Sequence, residues 1–374
     1  MQPLRVLQVY KDYYPPVKGG IEKHINLLAN ALKYRGVGVD VLVSNDAPRL
    51  GIDYIDDIRI IKAPQISRLA SAPLNFTFPW LLRKLAKEAD IIHFHLPNPT
   101  AVMAYLFSGV RKPVVATYHS DIVRQKTLKK LYAPFSRRFL GKTDAIIATS
   151  PCYVLASEEL VHYRRKCHVV PLGINLSQNN GSGGCPQQSH GIRSRYGGPI
   201  VLFVGKFRYY KGLKYLIDAM EQLDALLLLV GSGPVERELQ DYVNARRLQK
   251  KIVFVGEVPD QDIGAYYDAS DVVVLPSVYK SEAFGTVLLE AMCRAKPVIS
   301  TELGTGTSFV NIHNQTGIVV PPANAGALSR AIQRLLENSD LCARLGRAGR
   351  ERVGQYFDHH KMVEGVMAIY AAIL

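Results

Sequence analysis

The sequence lacks long apolar runs, and this absence limits the classes of protein it can be. The longest runs, such as residues 225–230, are far shorter than the ~18 apolar residues that a membrane-spanning helix needs. The apolar segment at 4–10 contains Arg5 and is followed directly by Lys11 and Asp12, which is unlike a secretory signal. With 48% hydrophobic and 21% charged residues, the 374-residue chain has a globular composition and is not disordered. We expect a cytoplasmic protein.

Cysteine is also scarce. The cysteines are scattered, odd in number and without a C-x-x-C pair, and they are Cys152, Cys167, Cys185, Cys293 and Cys342. This distribution argues against a disulfide framework and against a zinc site. It favours reduced cysteines with structural roles.

Acidic residues are too few to balance the basic ones. Lysine and arginine number 46, aspartate and glutamate 32, and the formal net charge is +14. Such an excess indicates a polyanionic partner. Charge alone allows a nucleic acid, an anionic lipid or a phosphorylated substrate.

Buried-strand patterns alternate with helix patterns in both halves of the chain. Near-continuous apolar runs separated by helices are typical of a parallel sheet covered on both faces. The strand candidates are 4–10, 39–43, 58–61, 91–95, 114–118, 145–149 and 168–171, then 200–204, 226–230, 252–255, 272–275, 298–301 and 318–320. The fold class is therefore α/β, with two Rossmann-like parallel-sheet domains whose ligand is expected in a central cleft.

A stretch rich in glycine and asparagine separates the two halves. We predict a first domain over 1–178, a linker over 179–199 and a second domain over 200–355. A C-terminal helix over 356–374 is expected to pack back towards the first domain.

Two glutamates, Glu282 and Glu290, flank seven residues at the start of a predicted helix. The helix opens near Gly285, and the free backbone N–H groups at such a start suit a phosphate. Glu290 lies about 1.5 turns inside, where its carboxylate can accept hydrogen bonds from ribose hydroxyls, and Glu282 can accept from a sugar. Taken alone, a helix cap and an exposed glutamate explain the pair equally well. The candidate donor-binding stretch also contains Ala283, Phe284 and Thr286.

A second cluster places three cations in one strand-to-helix loop at 205–212. Lys206, Arg208 and Lys211 are candidate phosphate ligands, because a lysine ammonium group is suited to phosphate oxygens. The alternative is a solvated basic loop.

Two strand ends in the first half carry further candidates. Gly19 and Gly20 precede a helix, where glycine allows close approach to a ligand, although a purely structural turn has the same pattern. His119 follows the strand at 114–118, beside Asp121, and is a candidate for substrate contact. Taken alone, such a histidine is more often structural or a surface residue.

Other polar residues at strand ends are interpreted as structural or weak. His93 and His95 are expected to be structural, and the D-x-D pattern Asp260 to Asp262 is interpreted as a helix cap, not a metal site. The loops containing Gly231 and Val258 follow strands, and their backbone groups can face a nucleotide base.

Residues 122–143 combine seven cations with interleaved apolar residues and no carboxylate. The cations are Arg124, Lys126, Lys129, Lys130, Arg137, Arg138 and Lys142. A basic amphipathic segment of this kind is typical of helices that lie on anionic membranes, with Lys129, Lys130, Arg137 and Arg138 as the contact candidates. The alternative is an ordinary surface helix. No nucleic-acid motif accompanies the segment, and no nucleic-acid partner is expected.

Together these motifs resemble retaining glycosyltransferase family 4, whose members have the GT-B fold of two Rossmann domains. The glutamate pair matches the E-x7-E hallmark of that family, and the segments at 170–174, 293–299 and 316–322 are similar to it as well. The segments at 10–15 and 302–307 resemble those of bacterial mannosyl- and rhamnosyltransferases of surface polysaccharide assembly.

The resemblance implies roles for individual residues. The residue after Gly205 and Lys211 would hold the donor diphosphate; the family usually has arginine at the first position, whereas this chain has Lys206, with Arg208 as a possible substitute. His119 would stabilise an oxocarbenium-like transition state near the transferred sugar. The loop at Gly20 would face the donor phosphates and the acceptor. His119, Glu282 and Lys211 are the expected catalytic residues, with neither a metal nor a cofactor.

The resemblance also implies a function. We expect a retaining transferase that moves a sugar, preferably mannose from GDP-mannose, to a lipid-linked oligosaccharide or polysaccharide acceptor. The second half would bind the nucleotide sugar and the first half the acceptor, with the enzyme on the inner face of the cytoplasmic membrane. A UDP-sugar donor, a nucleotide-sugar epimerase of the same fold, and a non-catalytic nucleotide-sugar or nucleic-acid binding protein remain open.

Overall fold

The computed structural model describes residues 3–69, 72–122, 126–179 and 186–374, which form two compact units. Unit 1 comprises Met1–Gly173 and His359–Leu374, and unit 2 comprises Ile174–Asp358. Arg124 of the basic segment, Cys185, and residues 180–185 of the predicted linker lie outside the described residues. No helix in the described ranges has both the length and the apolar character needed to cross a bilayer.

Unit 1 contains a large sheet, a small hairpin and helices. Its strands are β1 (Arg5–Val9), β2 (Gly38–Ser44), β3 (Gly51–Ile55), β4 (Ile58–Ala63), β5 (Ser67–Leu69), β6 (Ala72–Leu74), β7 (Ile91–Leu96), β8 (Val114–Tyr118), β9 (Ala145–Ala148) and β10 (Cys167–Val169). Its helices are α1 (Gly20–Tyr34), α2 (Phe78–Ala86), α3 (Pro99–Ser108), α4 (Lys126–Lys142) and α5 (Pro151–Ala156), with a 3₁₀ turn at Leu160–Lys166 and the last helix of the chain, α15 (His359–Ile373).

The order of the large sheet is β10-β9-β8-β7-β1-β2-β4-β3. The pairs from β10 to β4 are parallel, as predicted, but β3 pairs with β4 in the antiparallel direction. Asp56 and Asp57, both in the left-handed region with φ of 51° and 55°, form the tight turn that reverses the chain there. Strands β5 and β6 form a separate antiparallel hairpin.

The core of unit 1 follows from the apolar sequence of its central strands. Every residue of β7 and β8 is buried, as expected for strands covered on both faces. Helix α1 buries the predicted apolar face, which includes Leu28 and Leu32. Helix α15 completes the same cluster with Met362, Val363, Val366, Ile369 and Tyr370, so the end of the chain belongs to the first unit.

Unit 2 is a second α/β unit with a six-stranded parallel sheet of order β13-β12-β11-β14-β15-β16. Its strands are β11 (Ile200–Val204), β12 (Leu226–Val230), β13 (Ile252–Gly256), β14 (Val272–Leu275), β15 (Val298–Thr301) and β16 (Gly317–Val320). Its helices are α6 (Leu176–Asn179), α7 (Pro186–Tyr196), α8 (Leu213–Ala219), α9 (Glu236–Ala245), α10 (Ile263–Ala269), α11 (Thr286–Cys293), α12 (Gly306–Val310), α13 (Ala325–Leu336) and α14 (Ser339–Tyr356), with a 3₁₀ turn at Tyr209–Lys211.

The predicted linker over 179–199 is wrong in its second part. Residues Pro186–Tyr196 form α7, which packs on α10 within unit 2. The helix is polar and lacks an apolar stripe, so its sequence has the composition of a loop and only its contacts stabilise it. The units divide after Gly173 and after Asp358, a few residues from the predicted divisions after 178 and after 355.

Candidate active site

Strand order in unit 2 reverses between β11 and β14. The chain runs from β11 outward to β12 and β13, then returns to place β14 on the other side of β11. Ligands of such sheets bind beyond the carboxyl ends of the strands at this reversal. The loop after β11 carries Lys206, Arg208 and Lys211, and the loop after β14 carries Glu282, so the structure brings these predicted residues to one edge.

Lys211 and Glu282 form a buried ion pair there. The Lys211 ammonium nitrogen lies 2.5 Å from Oε2 of Glu282, and each residue is only 8% exposed. Ser277 donates a hydrogen bond to the same carboxylate oxygen at 2.8 Å, and Thr305 donates to the Glu282 carbonyl oxygen at 2.8 Å. Burial lowers the pKa of Lys211, but the Glu282 carboxylate outweighs it, and the net shift of the lysine pKa is upward. The lysine is therefore a permanent cation at neutral pH.

Close backbone packing fixes the loop that carries these cations. Gly212 has φ of +66°, and a Cβ atom there would lie 2.1 Å from the carbonyl oxygen of Pro276. The Tyr210 carbonyl oxygen accepts a hydrogen bond from the Val278 N–H at 2.8 Å. The loops after β11 and β14 therefore form one surface that holds Lys211 against Glu282.

Lys206 and Arg208 extend from the same loop into solvent. Both side chains are exposed, whereas Phe207 between them is buried and anchors the loop. Within the part of the chain that the structure describes, neither cation has an ion-pair partner. They are available to an anionic ligand, whereas Lys211 is already paired.

The loop at 283–285 leads into α11 and is held by α12. The Gly306 N–H donates to the Ala283 carbonyl oxygen at 2.8 Å, Phe284 is buried, and Gly285 at φ of +81° precedes the first helical residue, Thr286. The N–H groups of the first helical turn are free of intrahelical partners and suit an anion.

Glu290 lies in the fifth position of α11 and is partly buried. The hydroxyl group of Tyr267, from α10, donates to its Oε2 at 2.6 Å. Burial, followed by the negative charge of Glu290, raises the pKa of Tyr267 well above its usual value, so the tyrosine stays a donor. Tyr267 thereby orients the carboxylate.

The candidate base-binding loops are also close to this edge. A Cβ at Gly231 would lie 2.2 Å from the carbonyl oxygen of Gly205, and the Gly231 N–H donates to the Gly256 carbonyl oxygen at 2.8 Å. Val258 is two residues beyond the end of β13 and half-buried. The loops after β11, β12 and β13 thus form neighbouring turns.

Asp262 occupies the predicted cap position of α10 but does not cap the helix with its side chain. Asp262 stands at the N-cap position of α10, but its side chain makes no capping hydrogen bond. Its Oδ1 accepts instead from Gln188 of α7, at 3.4 Å, which joins α10 to the helix that was not predicted.

In unit 1, His119 lies in a buried cluster of histidines. Its Nε2 is 3.1 Å from Nδ1 of His95 on the neighbouring strand, and the His24 ring of α1 lies 5.1 Å from the His119 ring. Nδ1 of His119 and both ring nitrogens of His24 are buried without a hydrogen-bond partner among the described residues. The ligand atoms of the three imidazoles lie within 4.8 Å of one another, a spacing that can also accommodate a metal ion.

These histidines are neutral at physiological pH. Burial lowers the pKa of His24 to about 4, and it lowers the pKa of His93 to about 3 with a further contribution from His24. Burial and the neighbouring imidazoles lower the pKa of His95 and of His119 well below the usual 6.5. A neutral imidazole has one donor and one acceptor nitrogen, which suits a sugar hydroxyl.

His93 and Asp121 take structural positions. The ring nitrogens of His93 bond the Tyr370 and Thr117 hydroxyls, each at 2.7 Å, which ties α15 to the sheet. The Asp121 carboxylate accepts from Tyr118 at 2.7 Å and is not directed at His119. Asp121 therefore anchors the loop, and the histidine partner of His119 is His95.

Two other predicted sites lie in unit 1. Gly20 is the exposed first residue of α1, whose N-cap is Gly19.

On α4, Lys130, Arg137 and Arg138 are exposed, whereas Lys129 is partly buried and lies 2.7 Å from the Glu158 carboxylate. Lys129 is therefore already neutralised within the protein and is a poor membrane contact.

Sequence and structure comparisons place the chain among known enzymes. Residues 18–178 match the family model described as Glycosyltransferase Family 4, and residues 187–352 match the model described as Glycosyl transferases group 1. O-antigen chain mannosyltransferase C of Escherichia coli is 38% identical over 99% of both chains. D-rhamnosyltransferase WbpZ of Pseudomonas aeruginosa is 38% identical over 95% of this chain and 92% of its own.

A solved structure agrees with these matches. Sucrose-phosphate synthase from Thermosynechococcus elongatus is similar with a TM-score of 0.82 and 26% identity, covering 99% of this chain and 98% of its own. Two parallel-sheet α/β domains with these relatives define a glycosyltransferase of the GT-B fold. The chain belongs to the glycosyltransferases that combine a Family 4 domain with a group 1 domain, and it is a transferase.

Several residues of the site were not predicted from the sequence. Tyr267, Ser277, His24 and the contact between His95 and His119 come from different elements and have no shared motif. The only sequence signal for His24 and His95 is their position, near the start of α1 and near the end of β7, at the same edge of the sheet as His119.

Proposed function

We propose that the enzyme transfers a sugar, with retention of anomeric configuration, from a nucleotide sugar to a lipid-linked glycan at an anionic membrane surface. The observation that carries this proposal is the cluster at the β11–β14 reversal, where Lys211 is paired with Glu282 beside two unpaired cations and the start of α11. The names of the 38% identical relatives favour a mannosyl or rhamnosyl donor, and we select GDP-mannose.

The donor diphosphate would be held by Lys206, Arg208 and Lys211. The two exposed cations supply charge that no group of the described protein neutralises, and Lys211 stays protonated because Glu282 raises its pKa. The N–H groups at Gly285 and Thr286 add donors at the positive end of α11. Glu290, oriented by Tyr267, would accept from the ribose hydroxyls, with the base near Gly231 and Val258.

Glu282 is suited to a sugar hydroxyl because one of its oxygens is fixed by Lys211 and Ser277. We assign His119 to stabilising charge on the transferred sugar, since its neutral ring offers an unpartnered nitrogen. In the proposed step the bond from the anomeric carbon to the phosphate oxygen breaks and a bond to the acceptor oxygen forms. The acceptor proton passes to the leaving diphosphate, whose charge the lysines stabilise without a metal.

The acceptor is proposed to be presented by a membrane. Helix α4 supports this, because Leu128, Leu131 and Phe135 form an exposed apolar row at helical spacing. Arg138 lies beside that row, and Lys130 and Arg137 are exposed on the neighbouring face of the helix. A helix with this pattern binds anionic bilayers through burial and charge together.

One assay tests the proposal. The purified protein is incubated with GDP-mannose, GDP-rhamnose or UDP-hexoses, with and without a polyprenyl-diphosphate-linked glycan, and free nucleoside diphosphate and the glycan product are measured. We expect nucleoside diphosphate to be released only when the acceptor is present. The product should keep the axial anomeric configuration of the donor, and EDTA should not change the rate of transfer. A UDP-sugar preference would correct the donor alone. Isomerised sugar without acceptor would indicate an epimerase, and EDTA-sensitive transfer would refute the metal-free step.

A further inference from the structure

A second exposed apolar surface lies outside the proposed catalytic residues and outside α4. It consists of Ile66, Leu74, Phe76 and Trp80, which come from the β5–β6 hairpin and the first turn of α2, and we call it the hairpin surface. Phe76 is 82% exposed, Ile66 65% and Trp80 62%. Large aromatic residues are costly to leave in water, and a cluster of them on one surface marks a contact site.

The outward direction of these side chains is fixed by their neighbours. Asn75 is buried and donates to the Ala63 carbonyl oxygen at 3.2 Å, and Phe78 is 1% exposed. The Ile66 N–H donates to the Leu74 carbonyl oxygen at 3.1 Å, which closes the hairpin. Phe76, between two inward anchors, therefore points away from the unit. The exposure of Phe76 therefore follows from the burial of Asn75 and Phe78 on either side of it.

The segment that carries the hairpin surface is basic in sequence, although its Arg68, on β5, is paired with Asp12 and Asp46. Residues 64–87 contain four cations and no aspartate or glutamate. Arg83, Lys84 and Lys87 are exposed along α2, and the Lys84 ammonium lies 5.6 Å from the centre of the Trp80 ring. Aromatic rings beside exposed cations suit the headgroup layer of a bilayer, where tryptophan is enriched and lysine meets anionic lipid.

We propose that the hairpin surface inserts Phe76 and Trp80 into the headgroup layer of an anionic phospholipid bilayer. The proposal rests on the proposed function in that a lipid-linked acceptor requires the enzyme at such a surface. It adds a second contact to α4, and the two belong to one helical layer of unit 1, because α3 contacts both α2 and α4. The hairpin surface supplies apolar anchoring, and α4 supplies most of the charge.

Two other occupants fit the observations less well. A glycan that stacks on Trp80 also needs hydrogen-bond acceptors for its hydroxyls, and residues 64–87 have no carboxylate. A second copy of the chain would bring Arg83, Lys84 and Lys87 against their own equivalents in a symmetric contact, which like charges oppose.

Trp80 is the only tryptophan in the chain, so its fluorescence reports on this surface alone. The full-length protein is titrated with phosphatidylglycerol–phosphatidylcholine vesicles and with phosphatidylcholine vesicles. We expect a blue shift of the emission with anionic vesicles and quenching by lipids brominated near the headgroup. Phe76→Ser should weaken vesicle binding about tenfold. The matched control is Tyr34→Ser, which removes an 85% exposed tyrosine at the end of α1, outside the α2–α3–α4 layer, and should leave binding unchanged.

Other results of these experiments would overturn either the hairpin-surface proposal or the proposed function. Co-sedimentation with an unshifted Trp80 spectrum would overturn the hairpin surface and leave α4 as the contact. A shift caused by soluble glycan, or by protein concentration together with a dimer in sedimentation, would also overturn it. Absence of sugar transfer with a normal Trp80 shift would refute the proposed function and not this surface. Circular dichroism of both variants checks that they are folded.

Discussion

Nδ1 of His95 lies 3.1 Å from Nε2 of His119, so the histidine that follows β8 is held by a second buried histidine on the adjacent strand. The His95 ring also stacks on His93, at 4.5 Å between ring centres. His93 in turn is fixed by Tyr370 and Thr117. His119 is therefore the last member of an ordered row of rings, and His95 is its positioning residue.

Replacing His95 by phenylalanine should keep the packing and remove the bond to His119. We expect turnover to fall roughly 2–10-fold, because a net hydrogen bond contributes ~0.5–1.5 kcal/mol, while nucleoside diphosphate affinity is unchanged. His119→Ala should lower turnover further with the same affinity. The control is His93→Phe, which should lower the melting temperature and leave the specific activity of the folded fraction intact. Equal turnover of His95→Phe and wild type would make the pair purely structural.

Tyr267→Phe tests how Glu290 is oriented. Loss of the 2.6 Å bond should weaken binding of the nucleoside diphosphate about 2–10-fold, and Glu290→Ala should weaken it by more, since a hydrogen bond to a charged group contributes ~1.5–3 kcal/mol. Calorimetry measures both. Unchanged affinity in both variants would show that Glu290 does not contact the ribose. Tyr266→Phe, one residue away on α10, is the control.

The Lys211 ammonium group should bind the negative charge of the donor diphosphate. Lys211→Met should weaken binding of the diphosphate far more than binding of the bare nucleoside. It also leaves Glu282 buried without its cation, which costs about 3–5 kcal/mol of unfolding free energy. The double variant Lys211→Met with Glu282→Met should recover stability but not binding. Equal affinity losses for both ligands would contradict the diphosphate assignment.

The buried histidines predict acid sensitivity of unit 1. Their pKa values are lowered in the folded protein, to about 4 for His24 and about 3 for His93, so protons bind preferentially to the unfolded chain. The contribution of these histidines to the free energy of unfolding is fully present above pH ~6.5. It falls as the pH drops towards 4, by up to about 1.4 kcal/mol per pH unit for each histidine. Urea midpoints at pH 7.5, 6 and 5 measure this. His24→Phe should flatten the slope, and a midpoint independent of pH would contradict the neutral cluster.

The exposed cations of α4 should bind anionic vesicles. Changing Lys130, Arg137 and Arg138 together to serine should reduce co-sedimentation strongly, because each cation near such a surface contributes ~1 kcal/mol. Lys129→Ser is the matched control and should have little effect, since that lysine is paired with Glu158. Binding should also fall with salt as the Debye length shortens from ~10 Å at 0.1 M to ~3 Å at 1 M. Equal binding by wild type and triple variant would leave α4 an ordinary surface helix.

Site residues could be predicted from the sequence where they lie close together in the chain. The spacing of Glu282 and Glu290, and the cations of the loop at 205–212, could be located because each group lies within one short segment. Tyr267 and the His95–His119 contact could not, because strand pairing and helix packing bring together residues 23 and 24 positions apart. Helix α7 was missed because most of its residues are polar and it has no apolar stripe, and the β5–β6 hairpin was missed because its strands have only three residues each.

The placement of α15 has a consequence for biosynthesis. Residues Met362 to Tyr370 complete the core of unit 1, yet the ribosome synthesises them only after all of Ile174–Asp358. At about 5–20 residues per second, the first unit waits roughly 10–40 s for α15, which is the time that the synthesis of the second unit takes. Until then, the core residues that pack with α15, such as Leu28 and Leu32, lack those contacts. A premature stop codon between the codons of Asp358 and Met362 therefore removes part of the core of unit 1 and leaves all of Ile174–Asp358 in place.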